Sequence, residues 1–377
     1  MLFSAYIVYT MLRLVPYLTL TLIFIALAVG TTRSQAHHYD FDSLMEHNAQ
    51  FMPLAKMVFD TFQIFGPETP LEFTVSTDLK GLSKNKLKDE YQPADVIFNL
   101  WDTINISREI RIKPRGEFRL KNCNNPPLRV NVKKTEEVFE LLDGISKLKL
   151  VVPCKGSNAY QDYIFTEYLA YKLYNIITEN SFQARLIKVD YFDTSDKVKP
   201  GEVYTFIIES EKALAKRREC ISLDNEKVSA RSLDPETAAV MYIFQYMIGN
   251  TDWSVPGLHN MKLLKTTDVT KPYPIPVTYD FDYTGIVNAS YAIPGDHVSV
   301  ETVTEREYMG YCLPDEYMDQ AFSLFLEKES EVLAAVENFD LLSDNLKKKT
   351  SKYLEDFYHT IKDPKRRRNL LTSRCKN

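Results

Sequence analysis

Polar and apolar residues alternate in short runs through the first half of the chain, and apolar residues recur at helical spacings through the second. Alternation marks strands with one buried face, and recurrence every three or four residues marks helices. Glu72 to Ser76, Asp95 to Asn99, Ile106 to Lys113, Leu128 to Lys133 and Lys147 to Val152 read as strands. Turn-forming groups such as Cys123-Asn124-Asn125-Pro126-Pro127 separate them. Arg129 to Lys133 and Lys147 to Leu150 alternate strictly, so each packs one face and offers the other to solvent or a ligand; these are half-buried antiparallel strands. Ile164, Phe165, Tyr168, Leu169, Leu173, Ile176 and Ile177 predict a helix over Tyr160 to Thr178. Two more strand-like runs follow, Arg185 to Phe192 and Glu202 to Glu209, joined by the polar loop Asp193 to Gly201.

The charged connector Lys212 to Arg231 leads to a second helix, which Asp234 caps, Pro235 starts and Gly249 stops. Its body, Ala238 to Ile248, is apolar almost all round, as a helix buried at the centre of a fold must be. Met261 to Leu264 and Ile275 to Tyr279 read as a hairpin. Two amphipathic helices, about Asp315 to Asn338 and Asp340 to Lys362, finish the chain. The expected organisation is a β-rich unit with one helix over residues 72–211 and a mainly helical unit over 212–377, preceded by a helical or extended segment, 37–71.

Residues 1–36 stand apart. From Met1 to Gly30 the only charge is Arg13, Leu14 to Val29 is almost wholly apolar, and small residues at Ser34 and Ala36 suit a peptidase cutting before His37. The segment reads as a signal peptide, or, uncleaved, as an anchor, and either reading exports the rest to a periplasmic or extracellular location. Its loss removes Arg13 and Arg33 and no acid, taking the net charge from −5 to −7. No basic footprint for nucleic acid remains. With 45% hydrophobic and 26% charged residues the chain is an ordinary globular protein of one large domain or two lobes.

Export colours the reading of the five cysteines, which include no CxxC pair, so structural disulfides are expected rather than a zinc ribbon. Cys123 and Cys154 follow neighbouring strands and are read as a staple; Cys220 with Cys312 is the expected second bridge, and Cys375 is left over. Three pairings of the first four stay open on sequence alone.

The densest polar signal follows the buried helix: Gly249-Asn250-Thr251-Asp252-Trp253, then His259-Asn260, then Tyr279-Asp280-Phe281-Asp282. A polar loop, a hairpin and an acidic turn supply what phosphoryl transfer needs: a carboxylate to take a proton from the attacking hydroxyl, and an Asn and further carboxylates to hold a divalent metal on nucleotide phosphates. Asp252 is the base candidate, and Asn260, Asp280 and Asp282 are the metal candidates. His259 reads as a hydrogen-bonded structural residue and Trp253 as packing under the loop. In the first half, Lys149 on its strand's polar face is the phosphate cation, with Lys147 as rival, and Glu167 on the next helix its pairing partner. The turn Pro114 to Arg119 can cover phosphates, Gly116 allowing close backbone approach and Arg115 or Arg119 adding charge. The strand end at Glu209 offers its backbone to an adenine.

This order of Arg115-Gly116, Leu148-Lys149-Leu150, Ile208-Glu209, Gly249-Asn250-Thr251-Asp252 with His259-Asn260, and Tyr279-Asp280-Phe281-Asp282 resembles the CotH-type atypical kinases, the spore-coat kinase family, over roughly residues 72 to 330. More distantly it is similar to HipA-like and lipid-kinase-like folds. The resemblance implies an α+β, two-lobed protein-kinase-like fold with a β-rich N-terminal lobe and a mainly helical C-terminal lobe. It implies ATP with Mg²⁺ or Mn²⁺, and transfer of the γ-phosphate to Ser or Thr of a secreted or envelope protein. Asp252 then takes the catalytic role and Asp280 the metal role. The chain departs from the family in the eight-residue spacing of Asp252 and Asn260 and in lacking a Ser-rich turn after Arg115-Gly116. Two rival readings use the same residues: a binding module that keeps the fold without turnover, and a metal-dependent hydrolase built on Asp252, His259, Asp280 and Asp282.

Overall fold

The computed structural model describes residues 37–40, 70–100, 104–116, 118–132, 147–199, 201–223 and 228–376. The leader read from the sequence, residues 1–36, and most of the segment 37–71 lie outside the described residues. The strands are β1 (His37–Asp40), β2 (Leu71–Thr77), β3 (Gln92–Leu100), β4 (Ile104–Pro114), β5 (Leu128–Val132), β6 (Lys147–Val151), β7 (Ala184–Asp193), β8 (Gly201–Ile208), β9 (Cys220–Ser222), β10 (Met261–Thr266) and β11 (Ile275–Thr278). The helices are α1 (Leu79–Lys84), α2 (Phe118–Asn122), α3 (Asn158–Ile177), α4 (Glu211–Arg217), α5 (Pro235–Ile248), α6 (Asp315–Glu327), α7 (Glu329–Glu337), α8 (Asp344–Lys362) and α9 (Pro364–Leu370).

Seven strands close into a barrel in the order β4-β3-β2-β7-β8-β6-β5, with β5 returning to β4, and β1 lies parallel against the start of β4. Closure depends on two features. β4 is long enough to pair with β3 through Ile104–Ile112 and with β5 through Ile110–Pro114. β2 pairs in parallel with β7, Leu71 against Ile187 through Thr77 against Asp193, which brings together segments far apart in the chain. Alternation then fills the inside: Leu71, Val75, Val96, Ile110, Ile112, Leu128, Leu150, Ile187, Val189 and Ile207 form the barrel core.

The outer wall of β6, β7 and β8 is apolar as well. Val151, Leu186, Phe206 and Ile208 join one core with α3, α5, α6 and α8. α5 runs through its centre, capped by Asp234, whose carboxylate accepts the Thr237 N–H at 2.9 Å, and stopped by Gly249 at φ 65°. Only glycine sits there without strain, and an added Cβ would also run into the Tyr353 hydroxyl and meet Gly285 at 3.3 Å. Tyr174 stacks on Phe244 with centroids 4.0 Å apart, and Tyr171 meets Phe281 at 4.6 Å, tying α3, α5 and the turn after β11 together. Each such fully buried ring contributes roughly 1.5 to 3 kcal/mol.

The α+β class holds, but the two-lobed protein-kinase-like arrangement does not. The strands close into a barrel, and a single apolar core passes from its outer wall into the helices. Alternation says which residues of a strand face inward; it does not say which strands are neighbours. The last long helices also divide differently from expectation: the first breaks at Lys328 into α6 and α7, and the second starts at Asp344, with Ser343 as its cap. The short α1, α2 and α4 carry no sequence periodicity long enough to announce them.

Cys123 and Cys154 are bridged as expected. The expected Cys220–Cys312 bridge is replaced by Cys312–Cys375, and Cys220 is a half-buried free thiol. The tail returns to residue 312 by backbone bonding, Lys376 N–H to Gly310 O and Cys312 N–H to Lys376 O, both 2.9 Å. Cys220 is held elsewhere, at the end of β9 on the hairpin's edge. Among the described residues no helix is long and apolar enough to cross a membrane.

Candidate active site

The turn after β11 is the centre of the site. Phe281 is fully buried among Tyr171, Tyr174 and Phe244, and this anchor fixes Asp280 and Asp282 on either side of it. Asp280 adopts φ 68°, a left-handed conformation that Asp tolerates better than most residues. Its N–H donates to the Tyr171 hydroxyl at 2.9 Å. Tyr171 lies one helical turn beyond Glu167 on α3, so one face of that helix presents a carboxylate and a hydroxyl to the turn.

Carboxylate oxygens of Glu167, Asp280 and Asp282 lie within 4.8 Å of one another. α2 inserts Arg119 into this group. Its Nη2 meets Asp282 Oδ2 at 2.8 Å and Glu167 Oε2 at 3.3 Å, its Nε meets Asp282 Oδ2 at 3.1 Å, and Tyr291 accepts from Nη2 at 3.1 Å. Tyr291 in turn donates to Asp282. Burial pushes the Glu167 and Asp280 carboxyls up, and the neighbouring acids add to the rise while Arg119 opposes it. Burial works against the Arg119 charge, but Asp282 and Glu167 outweigh it and hold the guanidinium firmly protonated. Glu167 Oε1 is buried with no hydrogen-bond partner among the described residues. An orphaned oxygen beside two further carboxylates fits a divalent cation, which takes oxygen ligands.

Beside Asp280 stand two cations. Lys149 projects from β6, directly opposite Arg129 of β5, with its ammonium 4.6 Å from the Tyr279 ring centroid. Burial and the neighbouring Arg115 bring its ordinary value of 10.5 down to about 8, against the pull of Asp280. Arg115 follows β4, its N–H bonded to Pro127 O at 2.8 Å, and Gly116 takes φ 90°. Like charges set together beside an acidic cluster are suited to a polyanion.

The loop after α5 is a self-bonded unit. Asp252 Oδ1 lies 2.9 Å from His259 Nε2, and Asn260 Nδ2 donates to the Asp252 carbonyl at 2.8 Å and to Oδ2 at 2.9 Å. Asn250 Oδ1 accepts the Asp252 N–H, and buried Trp253 donates to the Asn250 carbonyl and stacks on Tyr242. Tyr279 N–H bonds Asn260 O at 3.0 Å, which sets this loop beside the acidic turn. Asp252 remains partly open to solvent, as a base that must reach a substrate requires.

Three expectations change. Glu167 pairs with Arg119, not with Lys149, because α2 carries the guanidinium into the acids while Lys149 stays over Tyr279. Asn260 engages Asp252, and the acidic cluster gains Glu167 in its place. Glu209 is a structural link: Arg217 grips both its oxygens at 3.0 and 2.9 Å, Gln183 N–H occupies one, and its own N–H bonds Gln183 O. That leaves no Glu209 N–H for an adenine. Tyr171 and Tyr291 were without a motif; only the four-residue step from Glu167 to Tyr171 gives a sequence signal.

No protein-family model matches the chain, and no curated protein does, so nothing there ties it to the CotH-type family. Among solved structures it is similar to the Helicobacter pylori proinflammatory kinase CtkA at a TM-score of 0.36 and 11% identity, over 66% of this chain and 90% of that one. A likeness at that score carries no weight for function.

Proposed function

We propose that the chain is an exported, metal-dependent phosphotransferase that moves the γ-phosphoryl group of ATP to Ser or Thr hydroxyls of secreted or envelope proteins. The observation that carries this reading is Asp280, which joins an acidic cluster able to take a cation to the cationic pair Lys149 and Arg115. Asp280, Asp282 and Glu167 would hold Mg²⁺ or Mn²⁺, which supplies charge neutralisation on the phosphates. Lys149 and Arg115 bind and orient the phosphate chain. Asp252, oriented by His259 and Asn260, accepts the hydroxyl proton as that oxygen bonds the γ-phosphorus and the bond to the β-bridging oxygen breaks, releasing ADP. Two disulfides support an oxidising compartment.

A second reading rests on Arg119, which already neutralises Glu167 and Asp282. The same cluster then serves a binding module without turnover. Calorimetric titration of residues 37–377 with ATP and Mg²⁺ or Mn²⁺ separates the two. Metal-dependent binding, lost in Asp280→Asn and kept in Asp252→Asn while phosphate transfer falls by about 10²- to 10⁴-fold, is expected of the phosphotransferase. No binding by the unmodified chain would leave the module. Asn suits both tests, since it keeps the size of Asp and tolerates the left-handed φ at 280.

A further inference from the structure

Away from this site, one end of the barrel opens into a cavity of about 980 Å³. Its floor is apolar, formed by Leu82, Leu128, Val152, Tyr191 and Val203. Around the rim stand Lys80, Lys84, Lys155, Lys197 and Lys199 against, among the described lining residues, a single acid, Glu202, which is already paired with Lys188 at 2.8 Å. The chain as a whole is net negative, so this concentration of lysine runs against its overall charge. The side-chain ammonium groups of Lys80, Lys84, Lys197 and Lys199 make no ion pair or hydrogen bond among the described residues.

The rim is built rather than loose. Buried Asp193 gathers the two lysine-bearing segments: its Oδ1 accepts the Leu79 N–H at 2.8 Å, and its Oδ2 accepts the Lys197 and Val198 N–H groups at 2.8 and 2.9 Å and the Ser195 hydroxyl at 2.8 Å. Burial works against the Asp193 charge, but these bonds hold its carboxyl well below the usual range. The Cys123–Cys154 bridge fastens the facing wall, where Asn125 N–H bonds Cys154 O at 3.2 Å. The first residues of α3 also reach the cavity, and Ser157, at its N-cap, makes no side-chain cap. Like charges pinned around an apolar hollow repel one another until an anion arrives.

We propose that this barrel mouth binds an anionic amphiphile, with one apolar chain seated on Val152, Tyr191 and Val203 and the anionic head held by the lysine rim. A free fatty acid and an anionic lipid headgroup in a membrane share this chemistry. The reading is independent of phosphoryl transfer. The test is titration of the purified chain with a dansyl-labelled long-chain fatty acid and with its methyl ester, beside pelleting with phosphatidylglycerol vesicles. The acid is expected to bind on the order of tenfold more tightly than the ester, and the combined Lys80→Gln, Lys84→Gln, Lys197→Gln, Lys199→Gln variant to lose a similar factor. These lysines are exposed, so the variant should keep its fold, which a melt confirms. Binding of the acid in solution assigns a free ligand, while lysine-dependent pelleting alone assigns a membrane lipid. Acid and ester bound with equal affinity, binding or pelleting unchanged in the lysine variant, or neither fatty-acid binding nor pelleting would overturn the proposal.

Discussion

Lys149 shows how burying a single charge sets a pH-dependent cost on the fold. Unfolded, it titrates at its ordinary 10.5, and folded, at about 8. Between those values the unfolded chain holds a proton that the folded chain lacks, so stability rises with pH through that window and the cost is complete below it. Lys149→Met removes the cost. The variant should melt above the wild type at about pH 7, by on the order of 1 to 2 kcal/mol once solvent screening is allowed for, and the gap should close as the pH approaches 10.5. A variant that melts lower at neutral pH would show that the ammonium is satisfied in the fold. The same substitution should abolish nucleotide binding, which separates a functional cation from a decorative one.

At the scale of elements, α2 is the least expected and the most consequential. Five residues long, it delivers Arg119 between Glu167 of α3 and Asp282 of the turn after β11, and so locks three separate segments. Breaking a buried ion pair leaves charges without partners, so Arg119→Met should cost about 3 to 5 kcal/mol in urea unfolding near neutral pH. The loss should shrink on acidification. Glu167 and Asp280 have raised carboxyl values in the fold, so the folded chain takes up protons before the unfolded one and gains relative stability as the pH falls. An Arg119→Met variant as stable as wild type would mean that the acids are solvated. β4 acts at the same scale: because it pairs with both β3 and β5, it turns a sheet into a barrel and gives Arg115 its place at the barrel's end.

For the molecule as a whole, the two disulfides among the described residues join segments distant in the chain. Cys123–Cys154 spans 31 residues and clamps the wall beside the lysine-rimmed cavity; Cys312–Cys375 spans 63 and returns the tail to the helical half. Replacing Cys123 and Cys154 by Ser should cost about 2 to 4 kcal/mol, seen as a shift in the denaturation midpoint that matches the effect of a reductant on that bridge. If the reductant does not move the midpoint of the unmodified chain, the bridge contributes nothing to the fold. The barrel interior and the shared outer core make one cooperative unit the expected behaviour, so barrel and helices should lose structure in a single transition.

The sequence by itself determined the strands of the first half, the buried helix with its Asp234 cap and Gly249 stop, and the hairpin, because periodicity, capping and turn preferences act over a few neighbouring positions. Its polar clusters also single out Asp252, Asp280, Asp282, Lys149 and Glu167 as candidates. Only the tertiary structure decided that seven strands close through the parallel β2–β7 pair, that Arg119 and not Lys149 meets Glu167, that Glu209 is spent on Arg217, and that Cys312 finds Cys375. Each of these joins segments distant in the chain. Such pairings follow from how whole elements bury their faces against one another, and local pattern leaves many of them equally open.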